Sequence, residues 1–214
     1  MKKLSRGILL SIEGIDGSGK STLLANMARA FNAAELPVVL THEPGNTPLG
    51  KTLRTLLQER TVPVTAKAEF LLFATDRAQH FQELIIPALQ DNKLILSDRM
   101  ADSSLVYQGY GRGLPLDMIS SVNSWAMEGI QPDLTIYVRI PPAVAYERFK
   151  QRKKLTVFEQ EKETFFTKLV TGFDTIFAQR TNVIHLDGQR PPDELTNQAV
   201  STITEWLITH KILT

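Results

Sequence analysis

The sequence predicts a three-layer α/β fold in which a five-stranded parallel sheet is flanked by helices. Three observations predict it. Short apolar strand candidates alternate with longer amphipathic segments, a pattern typical of parallel strands joined by helices. A glycine-rich segment separates the first strand candidate from the first helix, where such folds bind phosphate groups. Polar clusters follow the second and third strand candidates, so they fall at the same edge of the sheet.

Each strand candidate is a short apolar run, and the helix candidates between them repeat their apolar residues at helical spacing. The strands are expected at Ile8–Ile12, Val38–Thr41, Leu94–Ser97, Leu134–Val138 and Val183–Leu186. The helices are expected at Ser21–Ala34, Ala66–Gln90, Leu116–Glu128, Pro142–Arg152, Glu159–Gln179 and Glu194–His210.

Composition sets the remaining limits. A chain of 214 residues, 43% hydrophobic and 22% charged, is long enough for one well-buried core, which predicts a single domain over residues 1–214. Its formal charge of +1 gives no strong positive electrostatic potential that would attract nucleic acid or an acidic membrane, so neither is expected as a partner. The absence of cysteine excludes disulfides and thiolate metal sites and favours a cytoplasmic location. No apolar run approaches the roughly 18 residues of a membrane helix.

The segment after the first strand has the form of a P-loop. Its glycines allow backbone N–H groups to surround a phosphate, Lys20 adds a positive charge, and the Ser21 hydroxyl can bind Mg²⁺. An ordinary glycine-rich turn is the alternative, but the complete glycine, lysine and serine spacing between a strand and a helix disfavours it. The predicted nucleotide-binding residues are Gly14, Ile15, Asp16, Gly17, Ser18, Gly19, Lys20, Ser21 and Thr22.

An ordered series of motifs then resembles the thymidylate kinase family over nearly the whole chain. Its members are Glu13–Thr22, Glu43–Pro48, Phe73 to Arg77, Asp98-Arg99, Ser103-Ser104, Tyr107–Gly109, Gly111–Gly113 and Gln131–Thr135. The resemblance implies a P-loop NTPase-type fold and transfer of the γ-phosphoryl group of ATP to thymidine monophosphate, with Mg²⁺. It also implies a cytoplasmic homodimer that supplies dTTP synthesis for DNA replication.

Phosphoryl transfer depends on alignment and positive charge more than on a base, because the acceptor phosphate is already largely ionised. Lys20 and the loop amides are expected to hold the donor, with Ser21 at the metal. Asp98 is expected to support Mg²⁺ or its water shell, and Arg99 to draw the two phosphates together. An ordinary ion pair between Asp98 and Arg99 is the alternative.

The resemblance also implies the acceptor-binding residues. Phe73 is placed under the thymine ring and Arg77, one helical turn later, on a base carbonyl; a core role is the alternative for Phe73. The other implied residues are Ser104 and Gln108 at the base edge, Asp16 at the sugar 3′-hydroxyl, Tyr107 against a ribose 2′-hydroxyl, Arg54 at the acceptor phosphate, and Glu43 acting through metal-bound water. Arg54 has the alternative of a solvated helix residue.

A lid is expected at about residues 148–160, and here the sequence departs from the family. Thr156-Val157 precedes Phe158-Glu159 where bacterial members usually carry Asp-Arg. Arg152 is the first candidate to reach the transferring phosphoryl group in place of that arginine. A solvated basic face is the alternative. Asn46 and Arg139 also depart from the family pattern.

Two other functions stay open from the residues alone. A P-loop kinase for another nucleotide or nucleoside would keep the donor residues, although Phe73, Arg77 and Gln108 argue against it. A nucleotide-dependent ATPase switch would hydrolyse ATP without an acceptor.

Overall fold

The sheet expected from the sequence is present, and its strands are all parallel. A computed structural model describes residues 3–59, 62–150 and 155–213. The sheet has the order β2-β3-β1-β4-β5. Its strands are β1 (Ile8–Glu13), β2 (Val38–His42), β3 (Leu94–Asp98), β4 (Leu134–Arg139) and β5 (Val183–Asp187). Each runs one residue beyond its predicted end, because the polar residue there stays in the backbone ladder, as where His42 lies opposite Asp98.

Helices connect the strands and cover both faces of the sheet. They are α1 (Lys20–Ala33), α2 (Pro48–Glu59), α3 (Ala66–His80), α4 (Ile86–Gln90), α5 (Ala101–Ser104), α6 (Leu116–Ala126), α7 (Pro142–Lys150), α8 (Glu163–Phe177) and α9 (Pro192–Thr209). A π-helical segment, Phe81–Ile85, joins α3 to α4, and a second, Leu105–Gly111, follows α5.

The sequence prediction was wrong at three helices. It omitted α2, and it omitted the helical run from Ala101 to Gly111. It also began α8 four residues early. Thr156 and Glu159 exchange hydrogen bonds between each backbone N–H and the other's side chain, which closes a turn, and the extended backbone of Lys162 (ψ 156°) delays the helix to Glu163. The predicted end of α7 at Arg152 lies outside the described residues.

Alternate residues of β1 face two different cores. Ile8, Leu10 and Ile12 pack with side chains of α1 and α9, whereas Leu9 packs with Phe81 beneath the other face. Burial on both faces is the usual state of a central parallel strand. The sheet is therefore held rigidly between two helical layers, which fixes the positions of its strand ends.

A third cluster, rich in aromatic side chains, joins the sheet to the P-loop and to α8. It joins Ile15 of the P-loop to Tyr107, to Tyr137 of β4 and to phenylalanines of α8. Tyr137 lies 5.3 Å from Phe173 between ring centroids. This cluster packs the P-loop, through Ile15, against α8 and the end of the sheet.

Candidate nucleotide-binding site

The carboxyl ends of β1, β2 and β3 open into one cavity of about 570 Å³. These three strands are neighbours in the sheet, so the polar segments that follow them are brought together as the sequence predicts. The predicted site residues that line the cavity are Asp16, Gly17, Gly19, Lys20, Ser21, Thr22, Glu43, Arg54, Phe73, Arg77, Asp98, Arg99, Ser104, Tyr107 and Gln108. Gly14, Ile15 and Ser18 lie behind this surface and are buried.

The P-loop backbone requires glycine where it turns. Gly17 and Gly19 have φ of 79° and 99°, values that side chains with a Cβ rarely adopt. A Cβ on Gly14 (φ 143°) would lie 2.5 Å from the carbonyl oxygen of Val138. Gly19 is also the N-cap of α1, so the helix N-terminus begins inside the loop. The loop can therefore direct backbone N–H groups towards an anion.

Lys20 is buried at the centre of this loop. Its Nζ donates a 2.9 Å hydrogen bond to the carbonyl oxygen of Ile15. Burial, with the positive charge of Arg99, lowers the pKa of Lys20 to about 8. The hydroxyl of Ser18 is buried and meets no partner among the described residues. Lys20, which lines the cavity, suits a loop that receives phosphate oxygens.

Ser21 and Asp98 form an oxygen-rich corner of the cavity. Ser21 Oγ donates to Asp98 Oδ2 at 2.9 Å, which joins the start of α1 to the end of β3. Mg²⁺ is usually held by one or two protein oxygens together with water and substrate phosphates, and this pair fits that requirement. Within residues 3–59, 62–150 and 155–213, no cluster of three histidine, cysteine or acidic side chains could hold a metal.

Arg99 extends from β3 over the P-loop. It donates to the Gly14 carbonyl oxygen at 2.9 Å and to Asp16 Oδ1 at 2.7 Å, and its guanidinium lies 4.9 Å from the centre of the Tyr107 ring. Tyr107 in turn donates to Asp16 Oδ2 at 2.8 Å. The pKa of Asp16 falls to about 2, because the charges of Arg99 and Lys20 and these hydrogen bonds outweigh burial. The pKa of Arg99 rises despite burial, chiefly because of Asp16.

A second carboxyl group lies beneath Arg99 and is fully buried. Glu13 accepts hydrogen bonds from the backbone N–H of Met100 at 2.7 Å and from Ser103 Oγ at 2.6 Å. Burial, with the nearby charge of Asp102, raises the pKa of Glu13 to about 7. Because Ser103 Oγ also accepts from Arg99, Glu13 helps to fix the arginine in place.

Glu43 and Arg77 form a buried ion pair at the wall of the cavity. Arg77 Nε donates to Glu43 Oε2 at 2.9 Å, and His80 Nδ1 lies 3.0 Å from Glu43 Oε1. The charge of Arg77 and the contacts with His80 lower the pKa of Glu43 despite its burial. Both carboxylate oxygens thus face α3, apart from the Ser21 and Asp98 corner, and the metal role expected for Glu43 stays a prediction.

The rest of the Arg77 guanidinium is fixed from two other helices. Its Nη1 donates to Asn123 Oδ1 at 2.6 Å, and both Nη atoms lie within 3.3 Å of Ser104 Oγ. With the bond to Glu43, these three contacts occupy four of the five N–H groups of the guanidinium. One N–H group remains for a ligand in the cavity.

Aromatic rings enclose the same end of the cavity. Phe73 is half-buried, and its ring centroid lies 6.1 Å from that of Phe158, which also lies 5.9 Å from Tyr107. Phe158 directly follows Val157, the position at which the family usually carries the lid arginine. The segment that contains Phe158 therefore covers this end of the cavity. Gln108 is buried beside these rings and donates from Nε2 to Glu69 Oε1 at 2.9 Å.

Arg54 lies at the opposite wall. Its Nη1 donates to the Pro44 carbonyl oxygen at 2.7 Å, which holds this half-buried side chain along the cavity and not in open solvent. His42 lies beside it, and burial with the charge of Arg54 lowers the pKa of His42. The side chains of Arg54 and His42 thus both face the space between β2 and α2.

Arg152, the predicted lid cation, lies outside the described residues. The nearby Arg148 donates to the carbonyl oxygens of Gly17 at 2.6 Å and Gly188 at 2.9 Å. α7 is thereby attached to the P-loop.

Several site residues were missed by sequence reasoning. Glu69, His80 and Asn123 fix other polar side chains. Thr156, Phe158 and Glu159 line the cavity; they belong to the segment expected as a lid, but the sequence analysis assigns none of them a role of its own. Only the Phe158-Glu159 motif carried a signal in the sequence. Among the described residues, no helix has the length and apolarity to span a membrane.

Comparison with known proteins agrees with this geometry. The family model described as thymidylate kinase matches residues 12–199. The chain is similar to a thymidylate kinase of Halothermothrix orenii, at 39% identity over 95% of this chain and 99% of the relative. It is also similar to one of Carboxydothermus hydrogenoformans, at 41% identity over 89% and 93%. The crystal structure of thymidylate kinase from Ehrlichia chaffeensis superposes with a TM-score of 0.75 at 25% identity, over 92% of this chain and 99% of that one.

Proposed function

This chain belongs to the thymidylate kinase family, and we propose that it transfers the γ-phosphoryl group of ATP to thymidine monophosphate, giving thymidine diphosphate and ADP. The observation that carries the proposal is one cavity with two chemically different ends. A P-loop with Lys20 lies at one end, and Phe73, Arg77 and Gln108 lie at the other.

The donor end fits nucleotide phosphates and Mg²⁺. The P-loop amides and Lys20 bind the donor phosphates, while Ser21 and Asp98 provide oxygens for the metal. When bound, Mg²⁺ neutralises phosphate charge and holds the donor oxygens in place.

The acceptor end fits a deoxyribonucleoside monophosphate with a thymine base. Phe73 packs against the base, and Arg77 donates its remaining N–H group to a base carbonyl, with Ser104 and Gln108 along the base edge. Asp16 accepts from the sugar 3′-hydroxyl, and Tyr107, held by Asp16, leaves no room for a 2′-hydroxyl. Arg54 binds the acceptor phosphate.

Transfer itself requires alignment of two anions. An acceptor phosphate oxygen forms a bond to the γ-phosphorus as the bond to the β,γ-bridging oxygen breaks, so ADP leaves and no proton has to be removed first. Arg99 lines the cavity beside the P-loop and can offset the charge of both phosphates, because its guanidinium has several donors in one plane. Arg152 provides a second cation from the lid at about residues 148–160.

The protein is proposed to act as a homodimer in the cytoplasm. Exposed apolar side chains on the packed pair α3 and α6 support the dimer: Trp125 is 83% exposed, Met118 60% and Leu71 49%. Sedimentation of Trp125→Glu should show monomers where the unaltered protein is a dimer. Ile208→Glu, at an apolar residue 58% exposed on α9, is the matched control.

The proposal is tested by the products formed from Mg·ATP with each acceptor in turn. Thymidine monophosphate, deoxyuridine monophosphate, other nucleoside monophosphates, thymidine and no acceptor are compared, with ADP release followed and products identified by mass. Selective formation of thymidine diphosphate supports the proposal. Product from a different acceptor would indicate another nucleotide kinase, and ADP release without acceptor would indicate an ATPase.

A further inference from the structure

We propose that Glu69 determines which base the site accepts, by holding the Gln108 amide with its carbonyl oxygen towards the acceptor base. The inference rests on the proposed function, because it concerns the base end of the same cavity. Glu69 does not line that cavity; it acts through Gln108 and is therefore a positioning residue.

The orientation of the Gln108 amide follows from the chemistry of its partner. Gln108 Nε2 donates to Glu69 Oε1 at 2.9 Å, and both residues are 1% exposed. An ionised carboxylate only accepts hydrogen bonds, so the amide must turn its NH₂ group towards Glu69. The reverse orientation would bring two acceptor oxygens together in a buried place, at a large cost in free energy.

A neighbouring cation faces the Glu69 carboxyl group. Arg112 Nε lies 3.4 Å from the same oxygen, Glu69 Oε1, and its Nη1 donates to Glu161 Oε1 at 2.6 Å. The guanidinium also lies 4.7 Å from the centre of the Phe165 ring, which fixes its plane. A guanidinium only donates hydrogen bonds, so Glu69 Oε1 acts as the acceptor between Arg112 and Gln108, and the Gln108 amide stays in one orientation.

The fixed amide presents an acceptor to the cavity. Gln108 lines the cavity, and among the described residues its Oε1 receives no hydrogen bond. Arg77 lines the same cavity and retains one N–H group after its four contacts. The cavity therefore offers a base both an acceptor, Gln108 Oε1, and a donor, the Arg77 guanidinium.

Thymine and cytosine differ in the groups that would meet this pair. Thymine carries an N–H donor at N3 beside the carbonyl acceptor O4, which complements Gln108 Oε1 and Arg77. Cytosine carries an acceptor at N3 beside an amino donor. Its N3 would therefore face the acceptor Gln108 Oε1, and its amino group would face the donor Arg77. A site built around buried polar groups rejects a ligand that leaves them unpaired by far more than a hydrophobic pocket does. By holding the amide in place, Glu69 keeps Gln108 Oε1, the acceptor of this pair, directed towards the base.

The test measures base preference in Glu69→Gln. A neutral amide can donate as well as accept, so Gln108 is free to turn and offer its NH₂ group to N3 of cytosine. The ratio of kcat/KM for thymidine monophosphate to that for deoxycytidine monophosphate should fall by about tenfold or more, the equivalent of one lost hydrogen bond. Most of the change should appear in KM for thymidine monophosphate and little in kcat. A purely structural role for Glu69 would lower both activities together and leave the ratio unchanged.

Glu161→Gln is the matched control. It removes the other carboxylate that pairs with Arg112 and leaves the contact between Glu69 and Gln108 intact, so the base preference should not change. Circular dichroism and ATP binding verify that both variants fold. A folded Glu69→Gln variant that keeps the original base preference overturns the inference, while the activity of the unaltered protein on thymidine monophosphate still stands.

A second measurement needs no variant and tests the orientation of the Gln108 amide, on which the inference depends. N3-methylthymidine monophosphate keeps O4 but has no N–H for Gln108 Oε1. Its Kd for the unaltered protein should exceed that of thymidine monophosphate by about tenfold or more. Equal affinities would overturn the inference. Failure of the unaltered protein to phosphorylate thymidine monophosphate would instead reject the proposed function.

Discussion

The Asp16 carboxylate accepts a 2.7 Å hydrogen bond from Arg99 Nη2 and so joins the P-loop to the end of β3. The backbone of Arg99 lies in the left-handed region, with φ of 72°, which turns the side chain back over the loop. The cation is thereby positioned before any phosphate is bound. A charge already in place needs little reorganisation during transfer, which is how fixed groups accelerate such reactions.

The Asp16 and Arg99 pair should make stability depend on pH in the acid range. The pKa of Asp16 is lowered from 3.8 to about 2, so its ionised form stabilises the folded protein above about pH 4, and this contribution is lost as the pH falls towards 2. We expect the free energies of unfolding of the unaltered protein and Asp16→Asn to differ by up to about 2 kcal/mol more at pH 6 than at pH 2. Urea unfolding across this range measures the difference. A difference in unfolding free energy that stays constant between pH 6 and pH 2 would contradict the lowered pKa of Asp16.

Lys20 should bind ATP together with a proton. Because burial and Arg99 lower its pKa to about 8, part of the amine is neutral at pH 8 to 9 in the free protein. Phosphate oxygens favour the charged amine, so binding should take up protons in this range, and affinity should fall as the pH rises further. Calorimetry in two buffers with different ionisation enthalpies measures the uptake.

The control for that measurement is Lys20→Met, which has no amine to charge and should show no such uptake. Lys20→Ala should also nearly abolish turnover, by a factor on the order of 10³ or more, because the donor loses its principal side-chain cation. Unchanged kcat in Lys20→Ala would remove the P-loop lysine from the mechanism.

Arg77→Ala should weaken binding of thymidine monophosphate while ATP binding persists. It should also lower the free energy of unfolding by about 3–5 kcal/mol, because Glu43 is then left buried without its principal charged partner. Calorimetry with each nucleotide separates these effects. Equal loss of both nucleotides would indicate a structural role for Arg77.

A substitution beside Arg77 tests its role in acceptor binding with a smaller loss of stability. Asn123→Ala removes the 2.6 Å contact that orients Arg77 Nη1 and leaves the buried ion pair intact. KM for thymidine monophosphate should rise about tenfold, with a smaller change in stability. No change in KM would show that Ser104 and Glu43 suffice to orient the guanidinium.

The sequence predicted the residues of the cavity better than the contacts between them. Strand ends and the P-loop follow from local patterns, since an apolar run and its polar end are adjacent in the chain. The contact of Arg77 with Asn123 joins residues 46 positions apart, and that of Gln108 with Glu69 joins residues 39 positions apart. Such pairs depend on how α3 packs against α6 and the second π-helical segment, which no local pattern shows.

Arg139 illustrates the same limit. In the sequence it is a departure from the family pattern at the end of β4. In the structure its Nε and Nη2 both donate to Asp174 at 2.9 Å, and Tyr137 donates to the same carboxylate at 3.0 Å. The charge is therefore balanced from α8 and needs no role in the cavity. A single sequence cannot reveal this compensation, because Asp174 lies 35 residues away.

Phe158 should affect the acceptor far more than the donor. Its ring is 8% exposed and packs near Phe73 and Tyr107, so it covers the base end of the cavity. Phe158→Ala should raise KM for thymidine monophosphate about tenfold or more, with little change in the Kd of ATP. Steady-state kinetics and ATP titration measure the two values. Phe158→Leu keeps most of the apolar surface and is the control; comparable loss in both variants would indicate that ring packing is not the cause.

The lid cation is tested by exchanging charge between two positions. Arg152 is the proposed surrogate for the arginine that the family usually carries at the position of Val157, which is half-buried directly before Phe158. Arg152→Ala should lower kcat by a factor on the order of 10³, since a cation that reaches the transferring phosphoryl group can accelerate transfer by that much or more. Val157→Arg should preserve or raise kcat, and combined with Arg152→Ala it should restore activity.

Lys153→Ala, which removes a neighbouring cation, is the control and should retain activity. If Arg152→Ala leaves kcat unchanged, the surrogate is another residue, because loss of the transferring cation cannot be silent when chemistry limits turnover.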